Sequence, residues 1–145
     1  MRTLPDDALR TLLERARTIA VVGLSDKPER DSNDVARYLQ SQGYRIVPVN
    51  PMLTEVLGER VYPSVAAIPR DVTIDVVDVF RRSDQVVPVV TEALERGVGA
   101  IWLQLGVENA EAAAAADTRH VPYLEDVCIK VQHRRLRIPP IRPTS

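Results

Sequence analysis

Five short apolar segments, separated by stretches with helical periodicity, constrain the fold of this chain more than any other feature of its sequence. They are TIAVVGL (18–24), YRIVPVN (44–50), TIDVVDVF (73–80), AIWLQLG (100–106) and VPYLEDVC (121–128). Short runs rich in β-branched residues are typical of buried strands, and strands that alternate with helices form parallel sheets covered on both faces. The pattern therefore predicts an α/β, Rossmann-like doubly wound parallel sheet of about five strands, with ligands at the carboxyl ends of the strands.

The segments around these runs carry the spacing and the end residues of helices. The predicted helices are 4–17 with Thr3 as cap and Pro5 in the first turn, 32–42 between Ser32 and Gly43, 84–96 capped by Ser83, and the alanine-rich stretch that Asn109 begins. Pro88 lies too far into the third helix for an ideal first turn, so we expect a kink or a late start there. Pro48 has no N–H to donate, so one neighbour of its strand should be absent or irregular.

The remaining segments lack a clear periodicity. Residues 51–72 are predicted to be loop with a short helix at 64–67, and residues 137–145 are predicted to be an extended or mobile tail. Neither an internal repeat nor a composition break divides the chain. We therefore expect residues 1–145 to form one domain with its core over about 15–136.

Composition excludes several classes of function. The chain has 19 basic and 20 acidic residues, which argues against nucleic-acid or membrane attraction. It has one cysteine, Cys128, so neither a disulfide within the chain nor a cysteine-rich metal site is expected. No apolar run approaches the roughly 20 residues that span a bilayer, and Asp6, Asp7 and Glu14 interrupt any signal-peptide core. We expect a soluble cytoplasmic protein.

The turn after the first strand, GLSDKPERDS (23–32), resembles a phosphate-binding turn. A helix N-terminus leaves backbone N–H groups unpaired and carries a partial positive charge, which suits phosphate. Gly23 would allow close approach of a ligand, and the N–H groups of Leu24 and Ser25 with the Ser25 hydroxyl could contact a pyrophosphate. Lys27 and Arg30 add two cations. The alternative interpretation is a tight turn with solvated charges, and this stretch alone does not decide between them.

The residues after the second strand constrain which nucleotide such a turn would hold. The GxGxxG pattern of dinucleotide sites is absent, and Asn50-Pro51 stands where such sites place an acidic residue for the ribose hydroxyls. A carboxylate would repel a phosphorylated ribose, whereas Asn tolerates one. The residues therefore favour NADP or coenzyme A and leave the choice between them open.

Five motifs taken together resemble a known family. They are GLSDKPERDSNDVARYL, GYRIVPVNP, DVFRRSDQVVPVVTEAL, IWLQLGVEN and EDVCIKVQHRRL, which span roughly residues 15–136. In this order and spacing they resemble the small stand-alone CoA-binding proteins, whose domain is similar to the CoA-binding domain of the succinyl-CoA synthetase α subunit. The resemblance implies a Rossmann-like fold that binds coenzyme A at the carboxyl ends of its strands.

The resemblance also implies which residues form the site. The first loop and helix start would hold the CoA phosphates, and the segment at Asn50 would line the nucleotide. The fourth motif, Trp102-Leu103-Gln104 with Gly106, would flank the pantetheine arm. An Arg after the third strand can pair with a phosphate or stack on adenine. The implied cofactor-binding residues are Gly23, Leu24, Ser25, Lys27, Arg30, Ser32, Asn50, Pro51, Phe80, Arg81, Arg82, Gln104 and Gly106. Neither catalytic nor metal-binding residues are implied, and the matching His133 and Arg135 receive no role.

Several of these residues have a plain structural interpretation as well. Trp102 is expected in the core, and one of Arg81 and Arg82, not both, is expected to act in the site. Cys128 is expected to be a small buried apolar residue, with a thiol role beside a CoA sulfur as the alternative. His133 is expected at the surface. The acidic residues Asp71, Asp75 and Asp78 follow no catalytic spacing.

The function expected from these features is ligand binding without catalysis. The synthetase domain depends on a phosphorylated histidine in a further domain and on a partner chain, and this sequence has no catalytic set whose roles can be assigned. We expect a CoA or acyl-CoA binding module or sensor. The alternatives are an NADP-binding domain, which would respond to NADPH but not to CoA, and a subunit of a larger acyl-CoA synthetase or acyltransferase complex. A homodimer and a partner enzyme both stay open.

Overall fold

The computed structural model describes residues 1–142, which form an α/β Rossmann-like fold built on a parallel sheet. In chain order the elements are α1 (Asp6–Arg15), β1 (Thr18–Val22), α2 (Asp31–Ser41), β2 (Arg45–Val49), β3 (Glu55–Val56), β4 (Glu59–Arg60), β5 (Val76–Val79), α3 (Val86–Arg96), β6 (Ile101–Leu103), α4 (Ala110–Thr118), β7 (Tyr123–Leu124) and α5 (Ile129–Arg135). No helix among these residues is long and apolar enough to cross a membrane.

The five-stranded sheet has the order β2-β1-β5-β6-β7, and every neighbouring pair is parallel. From β1 the chain adds β2 on one side and then β5, β6 and β7 on the other, so the direction of winding reverses between β1 and β5. The connections that leave these two strands pass to opposite faces of the sheet, which opens a crevice at their carboxyl ends. The predicted doubly wound sheet of five strands is confirmed.

Each face of the sheet is covered by its own set of helices. Val21 and Trp102 belong to the cluster under α1, α2 and α5, whereas Val22 and Val79 belong to the cluster under α3 and α4. Because successive strand side chains point to opposite faces, a strand covered on both sides needs an uninterrupted apolar run. That requirement explains the five segments from which the fold was predicted.

Strand β2 lies at the edge of the sheet, which accounts for Pro48. Its regular partner is β1, and on the other side it meets the irregular backbone at Tyr62. There the Tyr62 N–H donates to the Pro48 carbonyl oxygen and the Asn50 N–H donates to the Tyr62 carbonyl oxygen, both at 3.0 Å. The predicted irregular neighbour is confirmed.

The helix starts correct three predicted caps. Helix α1 begins at Asp6 after Pro5, so Thr3 is not its cap. Helix α2 begins at Asp31 after Arg30, so Ser32 lies inside the helix, where its hydroxyl accepts a hydrogen bond from the Ser25 N–H. Ser83 opens a 3-10 turn over Ser83–Gln85, and its hydroxyl accepts from the Glu108 N–H.

Two other predictions about helix starts are confirmed. The Asn109 side chain caps α4 by accepting a hydrogen bond from the Ala112 N–H at 3.0 Å. Helix α3 starts late, at Val86, which places Pro88 in the first turn. A proline is tolerated there because the first N–H groups of a helix have no internal partner.

Three segments differ from the sequence-based expectation. Residues 51–72 contain the antiparallel β3–β4 hairpin, and 64–67 form a turn instead of a helix. Helix α5 was not predicted. The predicted tail is tied down where it is described, because Ile138 is buried and the Ile141 N–H donates to the Gln42 carbonyl oxygen. Residues 143–145 of that tail lie outside the described residues.

His133 on α5 is buried, so its predicted surface position is wrong. Its Nδ1 lies 2.6 Å from the Tyr38 hydroxyl oxygen, and the ring meets the rings of Tyr38 and Tyr44 edge to face. Burial lowers the pKa of His133. This contact joins α5 to α2, the helix that follows the predicted phosphate turn.

Candidate functional site

Two adjoining clefts lie at the carboxyl ends of β1 and β5, where the winding reverses. The loop cleft, of about 550 Å³, includes Gly23, Ser25, Lys27, Arg30, Ser32 and Phe80 in its wall. The side cleft, of about 570 Å³, includes Phe80, Arg81, Arg82, Gln104, Gly106 and Cys128. Phe80 and Asp31 belong to both walls. The two clefts therefore form one groove over the switch point, and ten of the thirteen predicted site residues line it.

The turn between β1 and α2 is held in shape by its own side chains. The Ser25 N–H donates to the Ser32 hydroxyl at 3.0 Å, and the Ser25 hydroxyl accepts from the Lys27 N–H at 3.1 Å. The Asn33 amide donates to the Ser25 carbonyl oxygen at 2.8 Å. These bonds fix the turn before any ligand arrives. They also occupy the Ser25 N–H, which was expected to meet a pyrophosphate.

The backbone N–H groups that have no hydrogen-bond acceptor lie after this turn, in the first three residues of α2. The N–H groups of Asp31, Ser32 and Asn33 donate to no acceptor within residues 1–142, and the first helical bond is that of Asp34 to the Arg30 carbonyl oxygen. Asp31 and Ser32 line the loop cleft. Unpaired N–H groups at the positive end of an 11-residue helix form a receptive site for an anion.

The charges around the loop cleft balance each other. Lys27 and Arg30 stand against Glu29 and Asp31, so the four side chains carry no net formal charge. All four are exposed and not one of them forms an ion pair within residues 1–142. An anion would therefore be held by individual N–H and guanidinium contacts and not by a broad positive field.

Gly23 is required by the close approach of two strands. It has a φ of +83°, and a Cβ at this position would overlap the carbonyl oxygen of Phe80 at the end of β5. Its N–H donates to the Val49 carbonyl oxygen at 2.9 Å. The glycine thus lets β1, β2 and β5 meet beneath the groove. The close approach that Gly23 allows is that of the β5 backbone, whereas the sequence predicted the approach of a ligand.

Three of the predicted site residues lie outside the two clefts. Pro51 is exposed, and the Leu24 side chain is fully buried, which leaves only the Leu24 backbone N–H for a ligand. Asn50 ties the end of β2 to the turn, because its amide donates to the Leu24 carbonyl oxygen at 3.0 Å and its Oδ1 accepts from the Met52 N–H. Asn50 therefore positions the loop.

The two arginines after β5 differ in their surroundings. Arg82 is exposed and pairs with Asp84 at 3.0 Å. Arg81 is partly buried, and its Nε is buried without a hydrogen-bond partner among the described residues. A buried donor without a partner is costly, so Arg81 is the arginine of this pair whose environment suits a ligand contact.

The far wall of the side cleft comes from the segments after β6 and β7. Gln104 is buried, and its Oε1 accepts from the Ile129 N–H at 3.1 Å. Gly106 is exposed, and its N–H donates to Asp126 at 2.8 Å. Cys128 was expected to be buried, with a thiol role beside a CoA sulfur as the alternative, and it is partly buried. It lies in this wall together with Val131, which was not assigned to the site from sequence. They come from the unpredicted helix α5 and the residue before it.

The other residues with alternative interpretations are structural. Trp102 is fully buried as expected, and its indole N–H donates to the Val127 carbonyl oxygen at 2.7 Å. Asp75 accepts from the N–H groups of Arg17 and Thr18. Asp78 is fully buried on β5, and neither carboxyl oxygen has a hydrogen-bond partner in the part of the chain that is described. Residues 1–142 contain no group of three side chains suited to a metal.

A crevice at the strand reversal, a rigid turn and open donors at a helix start define a Rossmann-like protein of the kind that receives nucleotides at its switch point. The sequence model of the CoA-binding domain family matches residues 17–134. The chain belongs to this family of CoA-binding domain proteins.

Two proteins are similar to this chain over most of their length and of its own. The Bacillus subtilis (strain 168) uncharacterized protein YneT is 42% identical over 125 residues, which cover 86% of this chain and 91% of that protein. The solved structure of a hypothetical protein from Pyrococcus horikoshii OT3 is 40% identical with a TM-score of 0.88, covering 92% of this chain and 93% of the other.

A larger enzyme contains a similar fold. The structure of acetyl-coenzyme A synthetase 1 from Ca. Korarchaeum cryptofilum, in complex with phosphate and ADP, is similar with a TM-score of 0.66 and 25% identity. The match covers 81% of this chain but 27% of the synthetase. The likeness is therefore to one part of that enzyme.

Proposed function

We propose that the protein binds coenzyme A or an acyl-CoA in the joined clefts and acts as a non-catalytic binding module or sensor. The observation that carries this proposal is that Asp31 and Ser32, whose N–H groups are open at the start of α2, lie in the wall of the loop cleft. A pyrophosphate is the part of coenzyme A that such donors recognise. Lys27 and Arg30 stand beside them to form charge-assisted hydrogen bonds.

The side cleft suits the pantetheine arm, which is an apolar chain with two amide groups. Phe80, Val107 and Val131 give its wall an apolar surface, and Gln104 supplies a polar group among them. Because Phe80 also borders the loop cleft, a ligand can run from one cleft into the other without leaving the protein surface. A ligand with a phosphate end and an extended amide arm matches the arrangement of a loop cleft followed by an apolar side cleft.

Two observations favour coenzyme A over NADP as the ligand: the family to which the chain belongs, and the residue at the end of β2. Asn50 is uncharged, and both ends of its side-chain amide are already engaged with backbone at Leu24 and Met52. It therefore offers no carboxylate to a ribose diol, which dinucleotide sites usually provide at this position. Membership of a CoA-binding domain family points the same way.

We propose binding without catalysis because the groove presents no set of residues with assignable catalytic roles. The buried His133 lies outside both clefts and contacts Tyr38. The similarity to one part of an acetyl-coenzyme A synthetase supports a second candidate, in which this chain serves as the CoA-binding subunit of a larger synthetase. In either case the ligand and the groove are the same.

Replacement of Arg30 by alanine tests the phosphate end of the proposal. We expect Arg30→Ala to raise the dissociation constant for CoA by about tenfold to a hundredfold, the range for loss of one charge-assisted hydrogen bond. The thermal unfolding midpoint should stay near that of the wild type, because Arg30 is exposed. Calorimetric titration at two salt concentrations measures the effect, and wild-type affinity should fall at the higher one.

Arg70→Ala is the matched control, since Arg70 is exposed and lies outside both clefts. It removes the same charge from the protein and should leave CoA affinity unchanged. Equal affinities of wild type, Arg30→Ala and Arg70→Ala would remove Arg30 from the site.

A further inference from the structure

The two walls of the side cleft differ in charge. Its acidic and basic residues are Asp31, Arg81 and Arg82, which come from the start of α2 and the segment after β5. The far wall is formed by residues 104–107, Cys128 and Val131, and it contains neither an acidic nor a basic residue. A ligand that crosses the side cleft therefore passes from a charged to an uncharged surface.

The order of the strands gives this change a direction along the groove. The sheet runs from β1 through β5 to β6 and β7, so the loop cleft and the far wall lie on opposite sides of the end of β5. Phe80, at the end of β5, borders both clefts. A CoA molecule with its pyrophosphate at the start of α2 therefore directs the sulfur end of its pantetheine arm towards the far wall. A group joined to that sulfur meets the uncharged surface.

Two exposed apolar side chains stand on the far wall. Leu105 is 70% exposed and Val131 is 55% exposed. The other large apolar side chains that are exposed among residues 1–142 are Met1 and Met52, and both lie outside the two clefts. Single apolar side chains on a surface need no explanation, whereas a pair in the wall of one cleft indicates contact with an apolar partner. Neither Leu105 nor Val131 belongs to a core cluster, so packing of the core does not account for them.

We propose that the protein prefers an acyl-CoA whose acyl group is an uncharged aliphatic chain, and that this chain lies against Leu105 and Val131; the inference rests on the proposed function. Contact with these side chains removes apolar surface from water, which adds up to about fourfold in affinity for each methylene group that is covered. Free CoA leaves the two side chains exposed. A carboxylate at the end of the acyl chain would lose hydration at a wall that offers it no basic residue.

The size and shape of this apolar pair favour a ligand over a second copy of the chain. A stable protein interface buries roughly 800 Å² on each partner, and two side chains supply only a small part of such an area. A concave wall is also reached more readily by a narrow aliphatic chain than by the convex surface of another protein.

Calorimetric titration of the reduced protein with CoA, acetyl-CoA, butanoyl-CoA and succinyl-CoA tests the proposal. We expect butanoyl-CoA to bind about tenfold more tightly than acetyl-CoA, because two further methylene groups are covered. Its binding should also show the more negative heat-capacity change, which marks the burial of apolar surface. Succinyl-CoA has an acyl chain of the same length that ends in a carboxylate, and it should bind roughly tenfold or more weakly than butanoyl-CoA.

Replacement of Leu105 by serine tests the contact itself. Leu105→Ser should reduce the preference for butanoyl-CoA over acetyl-CoA from about tenfold to about threefold or less. The variant should fold, because the side chain is largely exposed. Met52→Ser is the matched control, since it removes an exposed apolar side chain outside both clefts, and it should keep the preference of the wild type.

Equal affinities for acetyl-CoA and butanoyl-CoA, or a preference that Leu105→Ser leaves unchanged, would overturn the inference. Tighter binding of succinyl-CoA than of butanoyl-CoA would also overturn it, as would sedimentation of the wild type as a dimer that Leu105→Ser dissociates. Each of these results leaves the proposed function standing when CoA itself binds. Absence of binding by all four ligands overturns the proposed function together with this inference.

Discussion

Replacement of Gly23 by alanine is expected to lower the free energy of unfolding by about 3 kcal/mol or more. Two costs add at this position. The φ of +83° is unfavourable for a residue with a Cβ, and the Cβ itself would overlap the Phe80 carbonyl oxygen. Since that oxygen belongs to the backbone at the end of β5, relief requires a shift of the strands at the switch point.

Gly58→Ala separates the two costs. Gly58 has a φ of +76°, but an added Cβ there would meet nothing within 4 Å. The Gly58→Ala variant should lose about 1–2 kcal/mol of the free energy of unfolding, which is the cost of the left-handed conformation alone. Urea unfolding followed by the fluorescence of the buried Trp102 measures both variants. Equal losses for Gly23→Ala and Gly58→Ala would show that the strands do not need this close approach.

Replacement of Asp78 by asparagine is expected to stabilise the protein at neutral pH. The carboxyl is fully buried, neither oxygen has a partner within residues 1–142, and burial raises the pKa of Asp78 well above 3.8. The folded state therefore retains a proton that the unfolded chain releases. The ionisation of this group costs no stability below about pH 4, and this cost grows as the pH rises from there towards the pKa of the folded carboxyl.

The expected difference in the free energy of unfolding between Asp78→Asn and wild type comes from this coupling of protonation to folding. It should widen as the pH rises above about 4, by at most about 1.4 kcal/mol per pH unit, until the pH passes the pKa of the folded carboxyl. Urea unfolding at several pH values measures it. Asp75→Asn is the contrasting control, because Asp75 accepts two backbone hydrogen bonds and its replacement should destabilise. A constant difference between Asp78→Asn and wild type across this pH range would contradict the prediction.

The sheet could be predicted because its strands are buried on both faces. Val76, Val77 and Val79 show how β5 needs apolar side chains in both directions, which leaves an apolar run in the sequence that Asp78 alone interrupts. The β3–β4 hairpin gives no such signal, since its strands are two residues long and largely polar. Its turn also places Leu57 at a φ of 54°, where Asn or Asp would have marked the position.

Helix α5 was missed because one of its inward positions is polar. Ile129, His133 and Leu136 are buried at i, i+4 and i+7, a helical stripe that becomes visible only when His133 counts as a core residue. The tyrosine hydroxyl that bonds Nδ1 of this histidine comes from α2, far away in the sequence, and Nε2 has no partner among the described residues. The burial of His133 depends on this tertiary contact and could not be read from the local sequence.

The candidate site was predicted unevenly for the same reason. Residues on the β1–α2 turn and directly after β5 could be placed, because the carboxyl ends of parallel strands share one edge of the sheet. Val131 could not, and Cys128 was placed there only as an alternative interpretation, since the position of both depends on α5. The hydrogen bonds that occupy Ser25, and so shift the open donors to the start of α2, are also a property of the folded turn alone.

Calorimetric titration of the reduced wild-type protein with CoA, dephospho-CoA and NADP⁺ tests the central claim most directly. We expect CoA to bind with a dissociation constant in the micromolar range or tighter. Dephospho-CoA should bind more weakly, because it lacks the ribose phosphate. No heat with either CoA species, alongside saturable binding of NADP⁺, would contradict the assignment of this groove to coenzyme A.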